Sequence, residues 1–446
     1  MDREIANKFD ELSCRIDRHE KRIKELEMAP TTLANGITVT PAGGNGSGNV
    51  LDGTGRDTYG EAMFSMPAYT PMSGGTTYTS WQNLFNAINN QGDLGGQIFK
   101  FDGADINGTS YTFTNASNFY IDGLNTSILD GQATTPQRNS GAFFKSLFSN
   151  CHNFTVRGLE IRNMRNSGIE LGQGQNAGNG NPGLPGCSNV IIEHIKAHDI
   201  GSVALRPTNG SVNTKWRYCE IYNMGIQNAS GVYLAGAGEA FYVGFGNNSG
   251  HIGTTTEITN NYIHDIYSEA VDFKKNSSGI LVNKNLIENV HVSSQGAMVF
   301  AINESDVNID AIVEENIINN VTLRQSHVGH LSGPNDGTGI TVASGNIQLR
   351  RNIIMNANGH CIDVYANATT AAQCDIEENI LYNNGSGALP VRENVGTSFG
   401  FTGNNPLTIT RNNNIVNSGP AANESLVSAE PLLSAPFNQP SDFAIN

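Results

Sequence analysis

Of 446 residues only 15% are charged and 50 are glycine, which with abundant Asn, Ser and Thr suits many short strands joined by tight turns. The net charge is −15, nearly all of it beyond the first 27 residues. Such a surface repels phosphate, which excludes nucleic acid as a partner and gives no help in capturing an acidic glycan.

The N-terminus, "MDREIANKFDELSCRIDRHEKRIKELE", has no apolar core of the kind a secretory signal needs, and no run in the chain approaches transmembrane length. Synthesis in the cytoplasm without membrane insertion is the expectation. Ile5, Phe9, Leu12, Ile16, His19, Ile23 and Leu26 alternate at spacings of four and three, the seam of a heptad coiled coil over residues 1–29. So short a helix does not hold alone in water, so the seam implies self-association, without choosing dimer or trimer. His19 is the seam's polar interruption, a register-setting core residue or, alternatively, an anion or metal ligand on a symmetry axis. Pro30 ends the helix.

Residues 30–78 are rich in Gly, Ser and Pro and read as a linker or extended arm. The stretch "SWQNLFNAINN" then sets Trp81, Leu84, Phe85 and Ile88 at helical spacing behind Ser80, an N-cap residue. A short amphipathic helix is predicted there, plugging one end of the domain that runs to residue 446.

That domain is a repeat. Asn-x-apolar-x-Asn/Asp recurs at 261–265, 285–289, 316–320, 352–356, 379–383 and 413–417, with looser copies ending at Asn163, Asp199 and Asn223. The shortest interval between copies is 24 residues and occurs twice, so longer intervals are that unit plus loop insertions. Most copies are followed by a short alternating strand: "GIELG", "SVALR", "GVYLA", "AVDFK", "AMVFA", "GITVA", "CIDVY" and "ALPVR". Several strands per unit, stacked about 4.8 Å apart, describe an all-β chain: a right-handed, single-stranded parallel β-helix of about nine or more coils behind the coiled-coil helix.

The segment "SEAVDFKKNSSGILVNKNLIENV" resembles the coil signature of the pectate-lyase-like β-helix superfamily. Trp81 resembles the start of that superfamily's N-terminal cap, and "EPLLSAPFNQPSDFAIN" its closing segment. Heptad, linker and β-helix together resemble bacteriophage tailspikes and tail fibres. That resemblance implies a homotrimer joined to a phage tail or baseplate protein through its N-terminus, assembled in the host cytoplasm and carried on the virion. It also implies recognition, and in some members cleavage, of a host cell-surface polysaccharide. A rod that only spaces other virion parts is the structural alternative.

The recurrent Asn residues suit a ladder that satisfies turn amides between coils. Cys151 and Cys187 occupy equivalent places on adjacent coils, near enough for a disulfide, although cytoplasmic synthesis favours two thiols. The buried-strand positions of Cys219 and Cys361 suit free thiols, and no cysteine spacing suits a metal. No metal or cofactor is expected.

Two carboxylates on neighbouring coils stand about 5 Å apart, the separation of a retaining glycosidase, and skipping a coil gives about 9.5 Å, nearer an inverting one. Glu239, Glu269 and Asp272 are the candidates. The superfamily's hydrolases that use adjacent aspartates are not matched, because the chain has no Asp-Asp pair. Its alginate- and chondroitin-cleaving lyases pair a strand Lys with an Arg one coil later. Lys274 falls at the Lys place, but Ala301 stands where the Arg is expected. Alternation points Glu170, Tyr233, Asp272 and Asp363 outward in one column, with Arg206, Lys274, Tyr365 and Arg392 in the next, on a solvated face. Together with Tyr242 these rings and charges suit sugar faces and hydroxyls.

Overall fold

The computed structural model describes residues 31–32, 38–39, 64, 66–134, 138, 140–172, 184–208, 210–227, 238–244, 254–274, 277–292, 296–300, 309–323, 337–343, 345–365, 372–382, 384–385, 388–394, 407–416 and 425–426. The heptad, the closing segment from residue 430, Tyr233 and Ala301 lie outside the described residues.

The body is a parallel β-helix. One face is a ten-stranded sheet made of β1 (Tyr111–Thr114), β2 (Phe144–Ser149), β3 (Ser167–Leu171), β4 (Val203–Pro207), β5 (Glu239–Val243), β6 (Val271–Phe273), β7 (Gly296–Phe300), β8 (Thr338–Val342), β9 (Ile362–Tyr365) and β10 (Val391–Asn394). Each strand pairs in parallel with the next. The rest of each coil forms two further faces. Early coils run round the corner between them as single strands, Ala116–Asp130, His152–Met164 and Ser188–Ile200. Later coils break there into two strands, as in Thr254–Thr259 and Tyr262–Ile266.

The corner has a chemical cause. Asn260, Lys284, Glu315, Arg351, Glu378 and Asn413 turn the chain with φ between 53° and 56°, and a fully buried Asn follows each. Asn261, Asn285, Asn316, Asn352, Asn379 and Asn414 form one ladder. Asn316, for example, accepts from both the backbone N–H and the side-chain amide of Asn285 (3.0 and 2.9 Å) and donates to the Val282 carbonyl (3.0 Å). The last rung is Asn414, one residue later than the expected motif start at Asn413, which instead supplies the turn. The motif's final positions, among them Asp199, Asp265, Asn289 and Asn320, also adopt positive φ, a conformation Asn and Asp accept at little cost.

The core fills the tube with aligned side chains: Phe113 stacks on Phe148 at 4.7 Å and Phe273 on Phe300 at 4.8 Å. Helix α1 (Trp81–Ile88) is capped by Ser80, whose hydroxyl accepts from the Asn83 N–H. It closes one end with Trp81 against Phe101 at 5.2 Å and Phe85 against Phe113 at 5.0 Å. Cys151 and Cys187 are buried free thiols on adjacent coils, and Cys219 and Cys361 are buried and free as well. In the segment expected as linker or arm, Thr76–Tyr78 pairs with Gly92–Phe101, and Tyr69 and Met72 bond to Asp122 on the outside of the first coil.

Candidate functional site

The ten-stranded sheet breaks simple alternation. Ala204, Ala240, Ala270 and Ala297 lie in the core beside their successors Leu205, Phe241, Val271 and Met298. Two consecutive residues per strand therefore face inward, and the residues flanking them, three positions apart, both face outward. One outward column runs Ser167, Val203, Glu239, and on to Glu269 of the next coil. The other runs Glu170, Arg206, Tyr242, Asp272, Val299, Thr341, Asp363 and Arg392.

This register corrects the expected columns. Glu170 and Arg206 lie in one column and pair at 3.5 Å, and Asp363 and Arg392 share it too, with Arg392 Nε donating to Asp363 Oδ1 at 2.7 Å. The strand over Val203–Pro207 is "EAFYV", not "GVYLA", so Tyr242 takes the place expected for Tyr233. Tyr365 is the last residue of β9 and pairs with Asn394.

The face is not solvated. Asp272 and Lys274 form an ion pair at 2.7 Å, with side chains only 6% and 18% exposed. The Tyr242 ring lies between the Arg206 guanidinium at 5.0 Å and the Lys274 ammonium at 5.2 Å, two cation–π contacts that hold it in place. Burial pushes the Tyr242 phenol up to about 12. Burial pulls Lys274 the other way, but Asp272 and Tyr242 outweigh it and hold the ammonium well above its ordinary value. A base that abstracts a proton must first be unprotonated. Lys274 and Tyr242 are both favoured in their protonated forms, which does not suit Lys274 to the base's part in the lyase expectation.

Glu239 and Glu269 behave differently. Counting back from the Phe241–Val271 pairing, they stand in register on adjacent coils, which sets their backbones about 4.8 Å apart. Gly238, turned at φ +121°, donates its N–H to Glu239 Oε2 at 3.0 Å. Burial, then the Glu269 and Asp272 charges, push the Glu239 carboxyl up to about 8. Burial and Asp272 raise Glu269 as well, while the Ser268 hydroxyl bonds to its carboxylate and Lys274 lies near, both lowering it. Both carboxyls are raised, and two such groups in register on adjacent coils titrate as a pair.

The next column brings Asp272 against this pair. At the same relative position one coil further on, a Cβ built on Gly296 would stand 2.7 Å from Thr341 Oγ1. Asp272 Oδ1 and Thr341 Oγ1 are buried and accept or donate no hydrogen bond among the described residues. Burying such groups unpaired costs free energy that a bound hydroxyl recovers. Sequence reasoning singled out the carboxylates but missed Thr341, Ser268 and the stacking of Arg206, Tyr242 and Lys274. Placing "EAFYV" by its Phe241, as the equivalent of Leu205 and Val271, is the signal that finds the stack. Among the described residues no cluster of His, Cys, Asp and Glu is arranged to hold a metal ion.

No protein-family model matches the chain, and no curated protein matches it. Solved structures with a similar course include an alginate lyase from Paenibacillus sp. (15% identity, 71% of this chain and 98% of that one, TM-score 0.42). Another is the A-module of a mannuronan C-5 epimerase from Azotobacter vinelandii (14%, 74% and 80%, TM-score 0.48). A third is a surface adhesin of Streptococcus pneumoniae (10%, 68% and 82%, TM-score 0.42). The functional argument rests on the site itself.

Proposed function

We propose that this protein is a polysaccharide depolymerase that binds a glycan on the outer face of the ten-stranded sheet and hydrolyses it. The observation that carries the reading is the Glu239–Glu269 pair. Hydrolysis of a glycosidic bond needs one carboxylic acid to protonate the leaving oxygen and one carboxylate to act as nucleophile or base. Environments that push two carboxyl groups apart, or make them share a proton, supply both forms at one pH. Glu239, deeply buried, is the acid. Glu269, half-buried and hydrogen-bonded by Ser268, is the carboxylate. Their one-coil separation suits retention of anomeric configuration. Asp272, fixed by Lys274, raises the acid's proton affinity, and Tyr242, clamped between Arg206 and Lys274, holds that cation in place.

The setting we propose is that of a tailspike: a homotrimer, joined by the heptad of residues 1–29, that carries these sites to a host cell surface. The heptad followed by a β-helix body supports it.

The test is to incubate the assembled protein with polysaccharide from candidate host cells. New reducing ends without ultraviolet absorbance mean hydrolysis. Absorbance from an unsaturated uronate means elimination and refutes the assignment. Retention on the glycan with neither leaves binding alone.

A further inference from the structure

A buried amine lies near the helix-capped end of the rod, three strands along the sheet from Glu239. Lys145, on β2, has a side chain with no exposed surface. Four oxygen atoms surround its Nζ: Asp105 Oδ1 at 2.5 Å, the Asn107 carbonyl at 2.9 Å, and Asn107 Oδ1 and the Asp130 carbonyl at 3.4 Å. An ammonium has three N–H groups to share among them. The pairing of β1 with β2, which sets Tyr111 beside Ser146, and of Ala104–Asp105 with Ile128 and Leu129 brings these groups together.

The neighbours of Lys145 form a closed polar ring. Asp105 Oδ2 accepts from the Tyr111 hydroxyl at 3.0 Å, and that hydroxyl accepts from Asn107 Nδ2 at 3.5 Å. The Asp105 carboxylate therefore touches the amine directly and reaches the carboxamide nitrogen through one hydroxyl. The Thr109 N–H donates to Asn107 Oδ1 at 2.9 Å, which holds the carboxamide beside the amine. Lys145 Nζ lies 5.5 Å from the centre of the Tyr111 ring, which packs in turn on Phe85 of helix α1, also at 5.5 Å. Burial lowers the Lys145 amine below its ordinary value, outweighing the upward pull of Asp105 and Asp130. A buried ion pair needs an amine and a carboxylate. It does not need a carboxamide carbonyl held against the same nitrogen.

We propose that Lys145 and Asn107 join in an intramolecular isopeptide bond, with Asp105 as the catalytic residue. Asp105 takes a proton from the ammonium, and the freed amine attacks Asn107 Cγ to form the new C–N bond. Negative charge that develops on Oδ1 meets the Thr109 N–H, a donor already in place. The bond from Cγ to Nδ2 then breaks. The two protons that Lys145 loses pass by way of Asp105 and the Tyr111 hydroxyl to Nδ2, which leaves as ammonium. Atoms and charge balance, nothing is oxidised or reduced, and no co-reactant is needed. The product ties the turn after Ala104–Asp105 to β2 across 38 residues of chain. Coils at an end have fewer neighbours to hold them, so a covalent tie there guards the rod against fraying.

The test is the intact mass of the full chain, purified folded and held at mildly alkaline pH. The expected mass is one ammonia below the sequence mass, with a proteolytic fragment in which the segments around Asn107 and Lys145 are joined. The full sequence mass after prolonged incubation overturns the proposal. Ring closure of Asn107 onto Gly108 also expels ammonia but leaves no joined fragment, and that result overturns it too. So does loss of one water, which means a Lys145–Asp105 amide. Asn107→Ala, on an exposed turn, should show its own full mass with the β-helix circular dichroism unchanged, and ammonia loss that persists there overturns the bond. Asp105→Asn should slow linkage roughly 10²-fold or more, and linkage at the wild-type rate overturns the role of Asp105. Should Asp105→Asn cost the fold, the wild-type mass and the Asn107→Ala control still decide the bond.

Discussion

Replacing Glu239 by Gln should make the protein more stable and less active, and the gain should depend on pH. The Glu239 carboxyl titrates near 8 in the fold against an ordinary 4.5. Between those values the folded chain keeps a proton that the unfolded chain has released. The unfolding free energy therefore falls as pH rises. The group's contribution is fully present below 4.5 and is lost as pH passes 8. At about 1.4 kcal/mol per pH unit, the wild type loses about 2–3 kcal/mol from this group between pH 5 and pH 7. The amide of the Glu239→Gln variant has no proton to lose and keeps a carbonyl oxygen for the Gly238 N–H. Urea unfolding followed by circular dichroism at both pH values should show the variant's advantage growing by that amount. Reducing-end release should fall by roughly 10²–10⁴-fold with loss of the acid. A stability difference that is flat with pH would refute the buried protonated acid. Cleavage at the wild-type rate would refute its role.

Lys274→Ala leaves Asp272 buried without its cation and should cost roughly 3–5 kcal/mol in urea unfolding, far from the near-zero change of a solvated site. Combining Asp272→Asn with Lys274→Met should recover most of that loss, and if Lys274→Ala alone is silent the pair is not buried in solution. Asn316→Ala removes the acceptor of two Asn285 donors and a donor to the Val282 carbonyl, and should cost about 3 kcal/mol or more. Asn289→Gly, at a positive-φ turn, should change stability by less than about 1 kcal/mol. Ile16→Asp with Ile23→Asp should dissociate the assembly in sedimentation while leaving the β-helix circular dichroism intact, since its core lies within one chain. An unchanged sedimentation coefficient would remove the heptad as the joining element.

The fold was legible because its repeat is carried by residues with one physical task each. The Asn of each ladder position must accept from the coil before and donate to its carbonyls, and no other side chain of that size does both. Apolar alternation could then be read as strands. The one-residue error at Asn413 arose because three consecutive Asn residues, 412–414, stand there, the second taking the left-handed turn and the third the ladder position, and composition does not distinguish them. The outward columns were harder to read. Strict alternation assigns Asp272 correctly, as it lies between Val271 and Phe273, but it places Glu239 on the same side as Phe241. The chain escapes that by turning two successive residues, Ala240 and Phe241, into the core, which small residues allow and which strand periodicity does not predict.

That doubled inward step also creates the site. With plain alternation Glu239 would face the core, where an acid without a partner is not tolerated. The extra step moves it outside yet leaves it beside the Asp272 column, so burial comes from neighbouring side chains and not from the tube. The result is an outward-facing carboxyl only 5% exposed, whose burial raises its proton affinity. The same reasoning explains why the face read as solvated is buried. Arg206, Tyr242 and Lys274 extend over one another and over the carboxylates, which is visible only once Tyr242 is set in register with Asp272. A Gln at 239 could accept the same Gly238 N–H without carrying a buried titratable group. The carboxyl there is the group that the proposed hydrolysis requires and a purely structural rod does not.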